Sequence, residues 1–305
     1  MRWSANPAAA ERGPRSGEAA HVVYSSNADM VPGVVASIRS VLAHASGPVT
    51  FHYMGDSPLP RIDPPARDAT ATDLDLDVDV RFVSLKEIAD RYLLGDFYNE
   101  GLRRDGQEAI NKMAANYARF AIDAVLSDKR KALYLDADTI VTCDVVELLR
   151  GILNGPDDEG GPVVAAVPRG RGIYGLTAKG EGLYGGTGPS FNAGVYAMNL
   201  DRWRAQNTTG AARDVALRNV KEHLYFYGSQ PPLNIAVGDG FEHLPSGWNV
   251  KAAKAGRFER KHDGERLCLT HYTGQDKPWN GKGYQIKEWK KYGKAVRAAK
   301  EGRFR

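Results

Sequence analysis

Two acidic side chains follow an apolar segment near the middle of the 305-residue chain. Residues Ala132–Leu135 have the composition of a short buried strand, and Asp136 and Asp138 come directly after it. Side chains just past the end of a parallel strand face the crevice in which α/β proteins bind their ligands. One or two carboxylates, completed by phosphate oxygens, are a common ligand set for Mg²⁺. We therefore predict that Asp136 and Asp138 bind a divalent cation together with a phosphorylated ligand.

The segments around this acidic pair predict an α/β fold. His21–Ser25 and Val49–Met54 have the pattern of strands, and Val34–Leu42 between them has apolar residues at helical spacing. Strand, helix and strand at this spacing form a βαβ unit, and hence a parallel sheet. Further strands are expected at 78–83, 163–167 and 191–199, and helices at 109–126 and 201–206. We expect one α/β domain over residues 21–285.

The composition is that of a globular chain, with 42% hydrophobic and 26% charged residues. No apolar run approaches the roughly 20 residues that span a bilayer. Residues 1–20 lack the apolar core of a secretory signal, and we expect a disordered tail there. Cys143 and Cys268 are too few for a disulfide scaffold or a four-ligand zinc site. These features favour a cytoplasmic location.

The end of the chain is basic and aromatic. The net charge of +4 is too small to indicate nucleic-acid binding, but residues 282–305 contain nine Lys or Arg against two Glu. Trp289, Tyr292 and Phe304 are interleaved with these charges. We expect residues 286–305 to be a tail that either is solvated or makes peripheral contact with anionic lipid headgroups on the inner face of a membrane.

An apolar strand followed by Asp136-Ala137-Asp138-Thr139 also fits phosphatases that use aspartate as the nucleophile. Gly238-Asp239-Gly240 weakly resembles their later metal-binding motif. Those enzymes usually carry the first motif on the opening strand, whereas more than one hundred residues precede it here. A dehydrogenase is disfavoured because no GxGxxG follows the first strand.

Five segments, taken in order, resemble the family 8 glycosyltransferases, which are retaining enzymes with a GT-A fold. They are residues 22–42, 116–120, 132–141, 190–204 and 270–279. The resemblance covers residues 21–285 and implies a mixed, mainly parallel, Rossmann-like central sheet. It further implies a Mn²⁺ or Mg²⁺ cofactor, a nucleotide-sugar donor such as a UDP-hexose, and a carbohydrate or glycosylated small-molecule acceptor.

The resemblance places the nucleoside at the end of the first strand, where Ser25, Asn27 and Asp29 would contact base or ribose. The alternative is an ordinary turn in which Asn27 and Asp29 cap the next helix. On the predicted helix at 109–126, Lys112 would lie near the base and Arg119 would reach the donor sugar. Two surface cations on an amphipathic helix are the alternative for this pair.

The resemblance also supplies the rest of the diphosphate site. His271 would be the third metal ligand beside the two carboxylates, and Ala137 between them would pack against the nucleoside. Gly274 would let the backbone approach the diphosphate, and the charge of Lys277 would neutralise it. The alternative for His271 is a structural role.

Residues around the transferred sugar follow from the same resemblance. Asn192 and the backbone near Gly194 would meet the hexose, although a β-bulge would also explain this glycine. Gln230 would lie on the β face of the anomeric carbon and act in catalysis with Asp136 and Arg119. Ser229 stands where many family members have an aspartate that binds donor hydroxyls. The plant galacturonosyltransferases carry a similar Ser-x-Pro-Pro run, so this difference does not indicate inactivity.

We therefore predict a metal-dependent retaining glycosyltransferase. The alternative from another class is a non-catalytic nucleotide-sugar or glycan-binding protein on the same fold. Damaged metal ligands would favour that alternative, but Asp136, Asp138 and His271 are all present. Because an amide is a poor nucleophile, Gln230 favours front-side attack of the acceptor over a covalent glycosyl-enzyme.

Overall fold

The computed structural model describes residues 18–63, 78–88, 114–154, 161–184, 188–226 and 228–300. The strands are β1 Ala20–Ser26, β2 Val49–Gly55, β3 Asp79–Ser84, β4 Lys131–Leu135, β5 Thr139–Val141, β6 Val164–Arg171, β7 Pro189–Asn199, β8 Glu242–His243, β9 Val250–Lys251 and β10 Leu269–His271. The helices are α1 Val31–His44, α2 Leu85–Ile88, α3 Ile122–Val125, α4 Val145–Gly151, α5 Ala178–Glu181, α6 Leu200–Ala205, α7 Thr208–Glu222, α8 Gln230–Val237, α9 Ala252–Ala255, α10 Phe258–Lys261 and α11 Ile286–Lys300. Short 3₁₀ turns lie at Ala28–Met30, Ala118–Ala121, Ser246–Trp248 and Pro278–Asn280.

The central sheet has seven strands in the order β3-β2-β1-β4-β7-β6-β8. Strands β3, β2, β1 and β4 are mutually parallel, whereas β7 is antiparallel to both β4 and β6. The predicted mixed, mainly parallel α/β sheet is confirmed. Because β1 and β4 are parallel neighbours, their carboxyl ends meet at one edge of the sheet. Ser26 and Asp136 therefore belong to the same edge.

Most predicted elements occur within two residues of their expected positions. The apolar runs form β1, β2, β3, β4, β6 and β7, and the predicted 34–42 helix is the middle of α1. Pro32 lies in the first turn of α1, where its fixed φ suits a helix start and its missing N–H leaves no intrahelical hydrogen bond unmade. Ten residues of α1 are buried, because this helix packs between the sheet and α11.

The single long helix expected at 109–126 is wrong in the part that the structure describes. Residues 114–117 are helical, but the chain then tightens into the 3₁₀ turn Ala118–Ala121 before α3 begins. All four residues of that turn are buried, which the 3.6-residue period of a solvent-facing α-helix does not allow. Arg119 is one of these four buried residues.

A second sheet, in the order β5-β10-β9, carries the last segment of the predicted site. Strand β10 is antiparallel to β5, so His271 pairs with Thr139, the residue that follows Asp138. A disulfide joins Cys143 to Cys268 beside these strands, with 4.8 Å between the Cα atoms. The sequence analysis did not predict this bond, because 125 residues separate the two cysteines and nothing local connects them.

The predicted C-terminal tail contains the helix α11, which is docked on the domain. Trp289 and Tyr292 are 8% and 2% exposed and pack in a cluster with Ala36 of α1. These two rings are therefore not available to a membrane surface. Within the described part of the chain, no helix is long and apolar enough to cross a bilayer. Residues 1–17 and 301–305 lie outside the described residues.

Candidate active site

A cavity of about 220 Å³ opens at the carboxyl ends of β1 and β4. Its wall contains seven of the predicted site residues, which are Ser25, Asn27, Arg119, Asp136, Ala137, Asp138 and Lys277. Ser26, Met30, Ala115 and Asn116 complete the lining. The topology therefore brings residues from four distant segments together at this edge of the sheet.

Asp136, Asp138 and His271 form a compact group beside this cavity. His271 Nε2 lies 3.2 Å from Asp138 Oδ1 and 3.7 Å from Asp136 Oδ2. One ligand atom from each residue lies within 4.8 Å of the other two. No other group of three potential metal-ligating side chains of this kind occurs among the described residues. Carboxylate oxygens with one imidazole nitrogen fit a divalent cation.

The orientation of His271 strengthens this fit. Asn249 Oδ1 accepts a hydrogen bond from His271 Nδ1 at 3.0 Å, and both side chains are buried. With the proton on Nδ1, the lone pair on Nε2 faces the two carboxylates. A buried hydrogen bond that fixes the tautomer is the usual second partner of a metal-binding histidine. These three facing electron-pair donors are a ligand set that a cation between them would stabilise.

Gly194 on β7 leaves the space that this group needs. A Cβ at this position would lie 2.3 Å from Asp136 Oδ2 and 2.5 Å from His271 Cε1. Its φ is not positive, so the requirement for glycine is one of space. A register irregularity, as the alternative interpretation of this glycine would have it, is present as well. One residue of β6, between Ala166 and Pro168, faces four residues of β7, between Phe191 and Tyr196.

Lys277 supplies a positive charge to the metal-ligand group. Its Nζ donates hydrogen bonds to Asp138 Oδ2 and, at 3.0 Å, to the carbonyl oxygen of Tyr272. Burial alone would raise the pKa of Asp138, but its contacts with His271 and Lys277 hold it below its usual range. Asp138 is therefore an ionised carboxylate at neutral pH, as a cation ligand must be.

Arg119 is 5% exposed, so it is not the surface cation that the alternative expected. Its Nη2 donates to Asp136 Oδ1 at 3.2 Å, and its Nη1 donates to the carbonyl oxygen of Ala193. Its guanidinium lies 4.5 Å from the ring centroid of Tyr134, whose hydroxyl also donates to Asp136 Oδ1. Arg119 and Tyr134 together orient the Asp136 carboxylate.

Gln230, at the start of α8, is connected to the metal-ligand group through amides. Its Oε1 accepts hydrogen bonds from Asn192 Nδ2 at 3.0 Å and from the Ala193 backbone N–H at 3.1 Å. Asn192 Oδ1 in turn accepts from Asn249 Nδ2 at 3.2 Å. The predicted sugar-site residues Asn192 and Gln230 are thus adjacent. Asn249, which links them to His271, was missed because it belongs to no motif and reveals itself only by its contacts.

The predicted nucleoside residues have different environments. Ser25 is buried, and its hydroxyl donates to the carbonyl oxygen of Ala115. Asn27 makes no capping hydrogen bond, and its buried Oδ1 has no partner among the described residues. This acceptor on the cavity wall supports a ligand role over a capping role. Asp29 is exposed in the following turn and is not part of the lining.

Three of the predicted site residues remain. Ser229 is 1% exposed; its N–H donates to Asn116 Oδ1 at 2.7 Å, and its Oγ has no partner among the described residues. Gly274 has a φ of +100° in an exposed loop between His271 and Lys277, a conformation that favours glycine. Lys112 lies outside the described residues.

Comparison with known families identifies this arrangement. The sequence profile described as Glycosyl transferase family 8 matches residues 21–283. A probable galacturonosyltransferase-like 8 of Arabidopsis thaliana is 27% identical over 274 residues, which are 85% of this chain. A glycosyltransferase 8 domain-containing protein 1 of Homo sapiens is 27% identical over 299 residues, covering 89% of this chain and 76% of that protein. The match spans 66% of the plant relative's length.

The fold occurs in solved structures. The galactosyltransferase LgtC, crystallised with donor and acceptor sugar analogs, superimposes with a TM-score of 0.61 and 18% identity. That match covers 90% of this chain and 95% of LgtC. At this identity the likeness establishes the GT-A fold and nothing finer.

Proposed function

Because this chain belongs to glycosyl transferase family 8, we propose that it is a metal-dependent retaining glycosyltransferase. It moves a hexose-type sugar from a nucleotide donor, a UDP-sugar, to a carbohydrate or glycosylated small molecule. The observation that carries the proposal is the group Asp136, Asp138 and His271, held at the edge of a cavity whose wall also presents the unpaired Asn27 Oδ1.

The residues present fit a bound Mn²⁺ or Mg²⁺, which Asp136, Asp138 and His271 would hold. Such an ion neutralises negative charge on the departing diphosphate, so that no strong acid is needed. The chain's own contribution is Lys277, whose ammonium group lies on the same wall and would move from Asp138 to a phosphate oxygen. Gly274 would let the loop backbone approach the diphosphate.

The nucleoside would occupy the cavity between β1 and Asn116. Asn27 Oδ1 would accept a hydrogen bond from a base N–H, as uracil N3 provides, and Ser25 and Ala137 would contact the ribose. Asp29 is proposed to approach the open side of the nucleoside, and Lys112 keeps the role near the base that the family resemblance implies. A base without such an N–H would leave a buried acceptor unpaired, which costs binding free energy.

Gln230 would act at the anomeric carbon. Its Oε1 already accepts two hydrogen bonds, which makes an amide oxygen a still poorer nucleophile. We therefore infer front-side attack. The C1–O bond breaks with its electron pair going to the diphosphate, and the acceptor oxygen attacks C1 from the same face. The acceptor proton passes to a diphosphate oxygen. Gln230 stabilises the positive charge at C1, with Arg119 and Asp136 fixing the donor and Asn192, Gly194 and Ser229 lining the sugar.

The family and the structure bear differently on the two alternative functions. The phosphatase interpretation is wrong, because the chain belongs to another family and Asp136 is held by Arg119 and Tyr134. Asp239, in the Gly238-Asp239-Gly240 segment that resembles the later phosphatase motif, accepts a hydrogen bond from the Gly188 N–H. It is not part of the cavity lining. The second alternative, a non-catalytic nucleotide-sugar or glycan-binding protein, is tested by measuring whether the protein turns over a donor.

The test is release of nucleoside diphosphate from a panel of UDP-, dTDP- and GDP-sugars with Mn²⁺. We expect release from one UDP-sugar even without an acceptor, and at least about 10²-fold less from Asp138→Asn. Asp128→Asn is the matched control, because Asp128 is an exposed surface residue. The non-catalytic alternative is right if the wild type binds UDP but releases nothing from any donor with a broad acceptor mixture.

A further inference from the structure

A second, larger cavity of about 430 Å³ lies between the end of β6 and the segment that follows it. Its lining includes Arg169, Arg171, Tyr174, Tyr184 and Ser190. This volume is within the range of about 300–1,000 Å³ that small-molecule sites have. None of the residues assigned above to the donor forms its wall.

The second cavity is next to the donor site. Arg169 Nη2 donates a hydrogen bond to the carbonyl oxygen of Asn249 at 2.9 Å. The side chain of Asn249 is hydrogen-bonded to both Asn192 and His271. Ser190, on the wall, is two residues before Asn192 on β7. A molecule in the second cavity would therefore be a direct neighbour of the sugar held by Asn192.

The two arginines of this cavity outnumber the one carboxylate among its lining residues. Arg169 is half-buried, and its burial lowers the pKa of its guanidinium. No described carboxylate lies in salt-bridge distance of Arg169 or Arg171. Glu181 is the acidic group in the lining and is exposed. Desolvating an arginine without an acidic partner is unfavourable, so an anionic ligand at this place would be stabilised.

The rim of the cavity carries exposed aromatic rings. Tyr174 is 73% exposed, and so is Phe226, whose N–H donates to the carbonyl oxygen of Gly175 at 3.0 Å. Large exposed rings beside a cavity mark a binding surface. Their apolar faces suit the C–H face of a sugar ring, and they would extend the site beyond one residue of a glycan.

We propose that this cavity is the acceptor site and that it binds a glycan carrying a carboxylate or phosphate, paired with Arg169 and Arg171. The inference rests on the proposed glycosyltransferase function, since it makes the bound glycan the acceptor. Arg171 contributes charge at the mouth, Arg169 contributes charge next to Asn249, and Tyr174 stacks on a ring.

Two matched probe pairs test the charge. The first is trigalacturonate against its methyl ester, and the second is maltotriose 6-phosphate against maltotriose. Binding is measured by titration calorimetry with UDP and Mn²⁺ present. We expect at least a 10-fold preference for the charged member of one pair, and the preferred pair distinguishes a carboxylate from a phosphate. Equal binding within both pairs, or no binding of either charged probe, overturns the proposal.

Variants separate charge from stacking. Arg171→Gln should reduce the preference for the charged probe to about two-fold or less, whereas Lys179→Gln, an equal charge change outside the lining, should retain it. Tyr174→Ala should weaken both members of a pair by similar factors. An unchanged preference in both Arg171→Gln and Arg169→Gln overturns the proposal. The binding measurement needs no turnover, so failure of the glycosyltransferase function would appear separately, as absence of diphosphate release.

Discussion

At the scale of single residues, the candidate site is a chain of oriented polar groups. Gln230, Asn192 and Asn249 are joined by amide hydrogen bonds, and Asn249 then holds His271. Lys277 and Arg119 each hold one of the two carboxylates. Because each group is already oriented, little reorganisation is needed when charge develops in the transition state.

Gln230→Ala should lower kcat at least about 10-fold while the donor KM changes only a few-fold. The reason is that Gln230, in the proposed role, would interact with positive charge that exists mainly in the transition state. Steady-state kinetics of diphosphate release measures both constants. Gln206→Ala, an exposed site, is the control. Wild-type kcat in Gln230→Ala would place the catalytic face elsewhere.

Unlike Gln230→Ala, the variant Lys277→Ala should weaken the binding of the nucleoside diphosphate itself. In the proposed role its charge would act on phosphate in the ground state and in the transition state alike, so UDP affinity should fall at least about 10-fold. Calorimetric titration of UDP with Mn²⁺ present measures this. Lys282→Ala, at an exposed site in the same segment, should bind UDP as the wild type does. Equal affinities in the two variants would remove Lys277 from the phosphate site.

At the scale of elements, the adjacent strands β1 and β2 carry a buried pair of histidines. His21 Nδ1 and His52 Nε2 lie 3.1 Å apart, and the two residues are 8% and 4% exposed. Burial lowers the pKa of each to about 4, and the positive charge of Arg81 adds to the effect. Both rings are therefore neutral in the folded protein at pH 7.

This pair predicts a loss of stability in mild acid. Between pH 6.5 and 4 the unfolded chain binds more protons at these histidines than the folded chain, so the free energy of unfolding falls as the pH falls. Each pKa unit corresponds to about 1.4 kcal/mol, which gives a loss of a few kcal/mol for the pair. Above about pH 7 the contribution is constant.

Urea unfolding at pH 7.0, 5.5 and 4.5 measures this dependence. His52→Gln should flatten the profile, because it removes one titrating group and leaves His21 beside a neutral amide. His262→Gln, at an exposed site, is the control and should keep the wild-type slope. Identical slopes for all three proteins would show that the histidine pair does not titrate as described.

The elements that the sequence predicted are those with local signals. Apolar runs ended by polar residues identified β1, β2 and β4, and Asp136 and Asp138 stood out because they end such a run. The 3₁₀ turn at Ala118–Ala121 could not be predicted, because it depends on the burial of Arg119 against Asp136 and Ala193. Tertiary contacts override periodicity there.

At the scale of the whole molecule, the long-range contacts could not be predicted from the sequence. Asn249 lacks any motif, and the Cys143–Cys268 bond joins strands that are distant in the chain. Disulfides are typical of oxidising compartments. The cytoplasmic location expected from the composition stays a prediction, and this bond is the feature of the fold that argues against it.

The basic helix α11 is the remaining candidate for peripheral membrane contact. Since Trp289 and Tyr292 are buried, contact through the described side chains of this helix would use the exposed Lys287, Lys290 and Lys291. Reversing these three lysines to glutamate should weaken binding to anionic vesicles, because each lysine near such a surface contributes about 1 kcal/mol. Vesicle co-sedimentation at low and high salt measures this.

The matched control reverses three exposed lysines elsewhere, Lys221, Lys254 and Lys261. It should bind vesicles nearly as the wild type does. Equal loss in both triple variants would mean that only net charge matters, and no binding by the wild type would end the membrane proposal.

The central claim is that Asp136, Asp138 and His271 join a divalent cation to a nucleoside diphosphate. Its most direct test is the thermal unfolding temperature of the wild type and Asp138→Asn with UDP, in Mn²⁺ or in EDTA. A ligand at 100 times its Kd stabilises by about 2.7 kcal/mol. We expect UDP to raise the wild-type Tm by several degrees in Mn²⁺, much less in EDTA, and equally little in Asp138→Asn under both conditions. Equal stabilisation of the wild type in Mn²⁺ and in EDTA would contradict the account.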